Sequence, residues 1–415
     1  MNLKSVKYKM NDAFPALTHS NFRYFWTGQC ISLIGSWMQN TTQGWLVLKI
    51  TQENSSFLLG LVNAVQFTPI MIFSLFAGVI IDKLPKKKIL LFTQTSLMII
   101  AIIQSLLVWT NSIKYWHLII LSLCIGIINT IDLPTRQSFV IEMVGKKDLM
   151  NAIALNSSIF NAARVLGPSI AGVVIAYFGM EFCFFVNAIS FIPVIYGITK
   201  IKIENKNTIL QKKNVFFEIK EGLTYISKSF TLISTLTLIT VLGIFAFNYN
   251  ILIPVFSVNV LGLSSKEYGL LMSSLGIGSL IGALSMATKS KNGPKKLILY
   301  ISSFMVCILL MVIGLTKVYY TTAIFLAIIG AFNVIFSTTA NSTIQLNAKD
   351  EFRGRVMSVY TLLFAGVTPF GSLFTGFIAE SFGAAKGFIY SGMLALFLVI
   401  NIILVQTYFS KKRKL

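Results

Sequence analysis

The chain has 415 residues, 55% of them hydrophobic and 12% charged, with a mean hydropathy of +0.76. Soluble domains are roughly 45–50% apolar and about 25% charged, so this chain has too few charges to coat a water-facing surface, and a soluble enzyme is excluded. A net charge of +21 would suit a nucleic-acid binder if the basic residues formed one patch, whereas in a chain solvated by lipid it points to basic loops on one membrane face.

About twenty apolar residues cross the hydrocarbon core as a helix. Twelve such runs are predicted, at 22–48, 57–81, 89–109, 116–143, 151–178, 182–200, 231–259, 267–288, 297–316, 320–346, 356–379 and 386–409. No small-residue cleavage site follows the first, which therefore reads as a membrane helix and not a signal peptide. It carries Gln29, Ser32, Ser36, Gln39 and Gln43 at spacings of three and four, which is one helix face. Polar residues inside a span face a cavity or another helix, so this face lines a substrate cavity or glues helices together. Asn63 and Gln66 in the second span, Asn248 and Asn250 in the seventh, and Asn333, Ser337 and Asn341 in the tenth extend the candidate cavity. Between the sixth and seventh spans, residues 201–230 are polar and basic. Val215, Ile219, Ile226 and Phe230 recur there at helical spacing beside Lys220 and Lys228. This is an amphipathic helix on the membrane surface or a solvated linker.

An even number of spans puts both termini on one side. That side receives 29 of the 35 basic residues and the other side 5, with Arg164 alone deep in the fifth span. The asymmetry predicts cytoplasmic termini in the inner membrane of a bacterium and removes nucleic acid as a partner. Cys30, Cys124, Cys183 and Cys307 lie far apart in apolar runs and read as packed thiols. With two histidines and no HExxH or Cys/His cluster, no metal site and no cofactor is expected. The chain has no G-x-x-x-x-G-K-[ST] loop and no long extramembrane segment, so ATP is not the expected energy source.

The two halves repeat. At an offset of 204, Gly126, Asn129, Gly167, Gly172, Phe178 and Gly179 match Gly330, Asn333, Gly371, Gly376, Phe382 and Gly383. At 209, Gly60, Pro85, Lys86 and Lys87 match Gly269, Pro294, Lys295 and Lys296. Two parallel six-helix repeats are expected, 1–200 and 231–415, joined by 201–230, with a substrate path between them.

The loop Gly78-Val-Ile-Ile-Asp82-Lys83-Leu-Pro85-Lys86-Lys87 resembles motif A of the major facilitator superfamily, with Lys83 for Arg and Pro85 for Gly. Gly78 would allow close helix approach, Asp82 would place a carboxylate at a helix end, and Lys83 and Lys86 would anchor the loop. The fifth span, with Ala154, Ala163, Gly167, Pro168, Ala171 and Gly172, is similar to motif C of that superfamily's antiporters, with Ala at three Gly positions. Pro134-Thr-Arg136-Gln137, Asn151-Ala-Ile-Ala-Leu-Asn156-Ser, Arg164, Arg353-Gly-Arg355-Val-Met-Ser and Pro369-Phe-Gly371-Ser are similar to the subfamily of enterobactin exporters, macrolide efflux pumps and related permeases. The resemblance implies an all-α membrane protein of twelve transmembrane helices in two pseudo-symmetric bundles. It also implies a monomer exporting a small amphiphilic molecule, drug or siderophore-like, against protons. An uptake permease or a lipid flippase on the same fold is the alternative.

Asp132 and Arg164 lie at compatible depths, about 16–20 Å from the inner ends of their spans. Asp132, Arg136 and Arg164 are expected to form an inner charge network for coupling or gating, joined by Asp82 at the second span's end. The alternative is a static ion pair locking the fourth and fifth spans. A carboxylate that pairs with Arg in one conformation and meets water in another would tie proton movement to rocking.

Overall fold

Lipid cannot pair backbone N–H and C=O groups, so apolar spans must satisfy them internally, as helices do. The computed structural model describes residues 14–51, 55–202, 215–289 and 294–412. The first half consists of α1 (Ser20–Thr51), α2 (Ser55–Lys83), α3 (Lys86–Trp109), α4 (Tyr115–Gly145), α5 (Lys147–Phe178) and α6 (Met180–Lys200). A shorter helix, α7 (Val215–Ser227), leads into the second half. There follow α8 (Phe230–Asn259), α9 (Ser265–Lys289), α10 (Lys296–Leu315), α11 (Tyr319–Asn347), α12 (Glu351–Phe382) and α13 (Ala384–Lys412). Among the described residues, eleven helices are long and apolar enough to cross a membrane. The twelfth crossing is α1, 32 residues long; its polar stripe lowers its hydropathy below that of the others.

Turns between spans fall at residues that tolerate unusual backbone. Gly179 joins α5 to α6 at φ 91°, and Gly383 joins α12 to α13 at φ 84°, a region L side chains rarely adopt. These glycines are 204 residues apart, so the repeat uses one device twice. Gly145, at φ 70°, separates α4 from α5. Two spans are interrupted midway, α8 between Phe245 and Tyr249 and α12 between Ala365 and Thr368. The interruptions meet: a Cβ on Gly371 would lie 2.8 Å from both Asn248 Oδ1 and the Ile244 carbonyl. Asn248 Nδ2 donates to that carbonyl at 2.7 Å, one way a broken intramembrane helix satisfies its backbone.

The start of α1, the turns between α2 and α3 and between α4 and α5, and the end of α13 lie at one end of the bundle, here the basic end; the opposite end is the far end. The halves cross at the far end, α2 against α12 and α5 against α9. A Cβ on Gly60 would lie 2.5 Å from the Ser372 carbonyl and 3.2 Å from Gly376 Cα. A Cβ on Gly269 would lie 2.5 Å from the Pro168 carbonyl and 2.9 Å from Gly172 Cα. The repeat offsets turn one crossing into the other. The core follows the same plan. Its larger part runs from Leu242, Phe256, Phe336 and Phe388 into Leu46, Val47, Leu59 and Val62 at the far end of the first half. The first half's basic end holds a separate cluster around Phe22, Phe25, Phe139 and Val194.

The helix α7 packs on the second half. Tyr225 stacks on Phe352 with ring centroids 4.5 Å apart, Arg355 Nη1 pairs with Glu221 Oε2 at 2.8 Å, and Ile226 is buried. The side chains of Val215 and Ile219 lie outside the described residues.

Candidate functional site

The face of α5 that meets α9 at the far end is bare at the basic end. On that face Gly172 and Pro168 touch α9, whereas Ile153 and Met150, nearer the basic end, are 50% and 76% exposed. On α12, the face that carries Gly376 continues through Thr361, Ser358 and Gly354, all exposed. Toward the basic end, then, both faces are exposed.

Asp132 lies in the first polar layer, buried on α4. Its Oδ2 accepts from Arg136 Nε at 2.5 Å, four residues along the same helix. Its Oδ1 accepts from Thr93 Oγ1 at 2.6 Å and Gln94 Nε2 at 2.8 Å on α3. Arg136 also donates to Gln29 Oε1 on α1. The ion pair thus links α1, α3 and α4, and both carboxylate oxygens are engaged.

Arg164, the third member of the expected network, makes no ion pair or hydrogen bond with Asp132 or Arg136 among the described residues. The guanidinium of Arg164 lies 5.7 Å from the centroid of the Trp37 ring. Trp37 is eight residues beyond Gln29 on α1, about 12 Å farther along the axis at 1.5 Å per residue. Arg136, one turn away on the same helix, captures the carboxylate that Arg164 was expected to share. Tyr249, placed by the break in α8, is near enough to Arg164 for their charges to interact, and Asn333 of α11 is within reach of the Tyr249 hydroxyl. The Tyr249 hydroxyl is buried without a hydrogen bond of good geometry.

The polar stripe of α1 divides between helix packing and a pocket. Ser32 is buried, and its carbonyl accepts from Ser36 Oγ at 2.9 Å. Gln39 donates to Gln104 Oε1 at 2.7 Å and accepts from Asn187 Nδ2. Gln43 donates to Ser122 Oγ at 2.9 Å and also lines a pocket with Asn40, Asn63, Gln66, Phe67 and Asn250. On α11, Ser337 Oγ donates to the Asn333 carbonyl at 2.8 Å and Asn341 accepts from Gln345 at 2.5 Å. Gly78, Asp82 and Lys83 lie on the last turns of α2, with side chains outside the described residues. Farther along that loop, Lys86 Nζ meets Glu142 Oε1 at 2.6 Å, and Lys87 Nζ donates to the carbonyls of Thr199 at 2.9 Å and Ile201 at 2.6 Å. The loop thus ties α4 and the end of α6 together. In α5, a Cβ on Gly167 would lie 2.4 Å from Trp37 Cβ, and one on Gly172 would lie 2.8 Å from the Ser265 carbonyl. Alternate faces of this helix serve its own half and the opposite half.

Sequence reasoning missed Trp37, Thr93, Gln94, Gln104, Asn187, Tyr249 and Glu380. Gln94, Gln104 and Asn187 carried a signal, since each is a polar residue inside a predicted span. Glu380 Oε2 accepts from the backbone N–H of Ser56 at 3.1 Å and of Phe57 at 3.4 Å, across the halves at the start of α2. Among the described residues there is no group of three His, Cys, Asp or Glu that could hold a metal.

A family model described as transmembrane secretion effector, of the major facilitator type, matches residues 11–413. The chain belongs to this family of transporters. It is 28% identical over 404 residues to the staphyloferrin A transporter of Staphylococcus aureus, covering 95% of this chain and 97% of that one. It is 21% identical to macrolide efflux protein A of Streptococcus pyogenes, over 91% and 94% of the two chains. The crystal structure of the nucleoside transporter NupG superposes with a TM-score of 0.73 at 12% identity, over 94% of this chain and 99% of that chain. The fold is therefore the major facilitator fold, and the protein is a multi-pass membrane transporter and not an enzyme.

Proposed function

We propose that this transporter exports a small amphiphilic molecule, drug or siderophore-like, by alternating access driven by proton antiport. The observation that carries the reading is the packing of the two halves at the far end, with the faces of α5 and α12 left exposed toward the basic end. The 29-to-5 distribution of basic residues assigns that end to the cytoplasm of a bacterium, with both termini inside. Cargo would therefore enter from the cell interior. The halves, 1–200 and 231–415 joined by 201–230, would rock as two bodies in a monomer.

Coupling is assigned to Asp132 and Arg136, with Asp82 gating at the end of α2. A proton on Asp132 would release Arg136 and loosen the α1, α3 and α4 junction. The motif residues Gly78, Lys83, Lys86, Gly167, Pro168 and Gly172 would govern the rocking, and Gln43, Asn63, Gln66, Asn333, Ser337 and Asn341 would face the cargo. The test is accumulation of fluorescent amphiphiles in cells with and without the protein, before and after an uncoupler. Export predicts lower accumulation with the protein and its reversal by the uncoupler. Higher accumulation would refute export, and insensitivity to the uncoupler would refute proton coupling.

A further inference from the structure

Arg164 is, among the described residues, the charge deep in a span that no counter-charge engages. Among the described residues it makes no ion pair and no hydrogen bond, and its contact is the face of Trp37. The chain has fourteen acidic residues. Asp132 is the one deep in a span, and its oxygens are engaged by Arg136, Thr93 and Gln94. Asp82, at the inner end of α2, is 22 residues from Gly60, about 33 Å along the helix, whereas Arg164 is 8 residues, about 12 Å, from Gly172 at the same far-end level. A cation at this depth without an anion is costly, and none pairs with it among the described residues.

The surroundings are arranged to donate. The Tyr249 hydroxyl is buried without a hydrogen bond of good geometry, and Asn333 is the side chain within its reach. The backbone of Arg164 packs on Gly276, where a Cβ would lie 2.8 Å from the Arg164 carbonyl. One turn toward the basic end, Phe160 is 47% exposed and its ring packs edge-on against Trp37, centroids 5.7 Å apart. Arg164 is itself half-buried.

We propose that Arg164, Tyr249 and Asn333 form an anion subsite, floored by Trp37, that receives a carboxylate of the cargo. The guanidinium supplies paired N–H donors matched to a carboxylate, the tyrosine supplies an O–H, and the carboxylate supplies the counter-charge the fold lacks. The apolar part of the cargo would lie below, against Phe160. The proposal rests on the exporter reading and deepens it.

The full-length protein in nanodiscs is titrated with a dansylated aminoundecanoic acid and with its methyl ester, which differ by one charge. Wild type is expected to bind the acid about tenfold or more tightly than the ester. Arg164→Gln should reduce that preference to twofold or less, Arg164→Lys should retain part of it, and Tyr249→Phe should weaken acid binding several-fold with little effect on the ester. Unaltered ester binding and melting temperature in the variants show that the fold is intact. If Arg164→Gln misfolds, the Lys and Phe variants decide. Equal binding of acid and ester by wild type, or an undiminished preference in the variants, would overturn the subsite. Uncoupler-sensitive efflux of neutral amphiphiles, measured separately in cells, would then still stand. Loss of that efflux with the preference intact would remove the exporter reading and leave the subsite.

Discussion

Gly60 and Gly376 meet backbone to backbone across the two halves, and a Cβ on Gly60 would come 3.2 Å from Gly376 Cα and 2.5 Å from the Ser372 carbonyl. Backbone cannot swing aside as a long side chain can. Overpacking costs about 1–3 kcal/mol, enough to shift a two-state equilibrium roughly 5- to 150-fold. Gly60→Val, and equally Gly269→Val, should hold the far end apart. We expect export to fall to about a tenth or less, and a Thr41→Cys thiol, buried at this junction in wild type, to become reactive toward an impermeant maleimide. Wild-type labelling in both variants would show that the crossings do not close the far end.

Glu380 adds a charge to only one of the two crossings, since its repeat-related position is Ala176. Its carboxylate caps the start of α2 through Ser56 and Phe57, and an anion at a helix N-terminus contributes about 0.3–1 kcal/mol. Glu380→Gln should therefore weaken closure about two- to fivefold by the same maleimide assay, a smaller change than either valine. An effect as large as that of the glycine variants would mean that the carboxylate has a role beyond capping.

Removing one partner of a buried ion pair costs about 3–5 kcal/mol, whereas removing both is often neutral. Asp132→Asn leaves Arg136 without its carboxylate and should destabilise the protein strongly. Asp132→Asn with Arg136→Gln should melt closer to wild type, yet lack uncoupler-sensitive export. Thermal unfolding in detergent and efflux in cells read the two effects separately. Gradient-driven export by the double variant would remove the pair from coupling.

The linker helix is held to the second half by Tyr225 on Phe352 and by Arg355 with Glu221. A stacked aromatic pair contributes about 0.5–1.5 kcal/mol beyond its buried area. Tyr225→Ala should raise the rate of tryptic cleavage after Lys228 roughly threefold or more. An unchanged rate would show that the helix is held by other contacts.

The spans and the repeat were readable because lipid imposes length, and duplication preserves glycines where backbones touch. The matches at 204 and 209 residues even contained the crossing partners, although nothing in the pattern pairs Gly60 with Gly376 instead of with its own counterpart, Gly269. The Asp132 and Arg136 pair was readable from a spacing of four. The place of Arg164 was not. It depends on how far α1 carries Trp37 past Gln29 and on the break in α8 that presents Tyr249, and helix depth and rotation leave no periodic trace. The stripe on α1 was legible as a face, but its division between Gln104, Asn187 and the pocket depends on neighbours chosen by tertiary packing.

The two glycine crossings also constrain how such transporters diverge. A side chain gained at Gly60 meets Gly376, which has nothing left to trim, and the same holds for Gly269 with Gly172. Compensation within a pair is impossible, so drift is barred from the far end. On the exposed faces below, around Ile153 and Thr361, a substitution touches neither crossing.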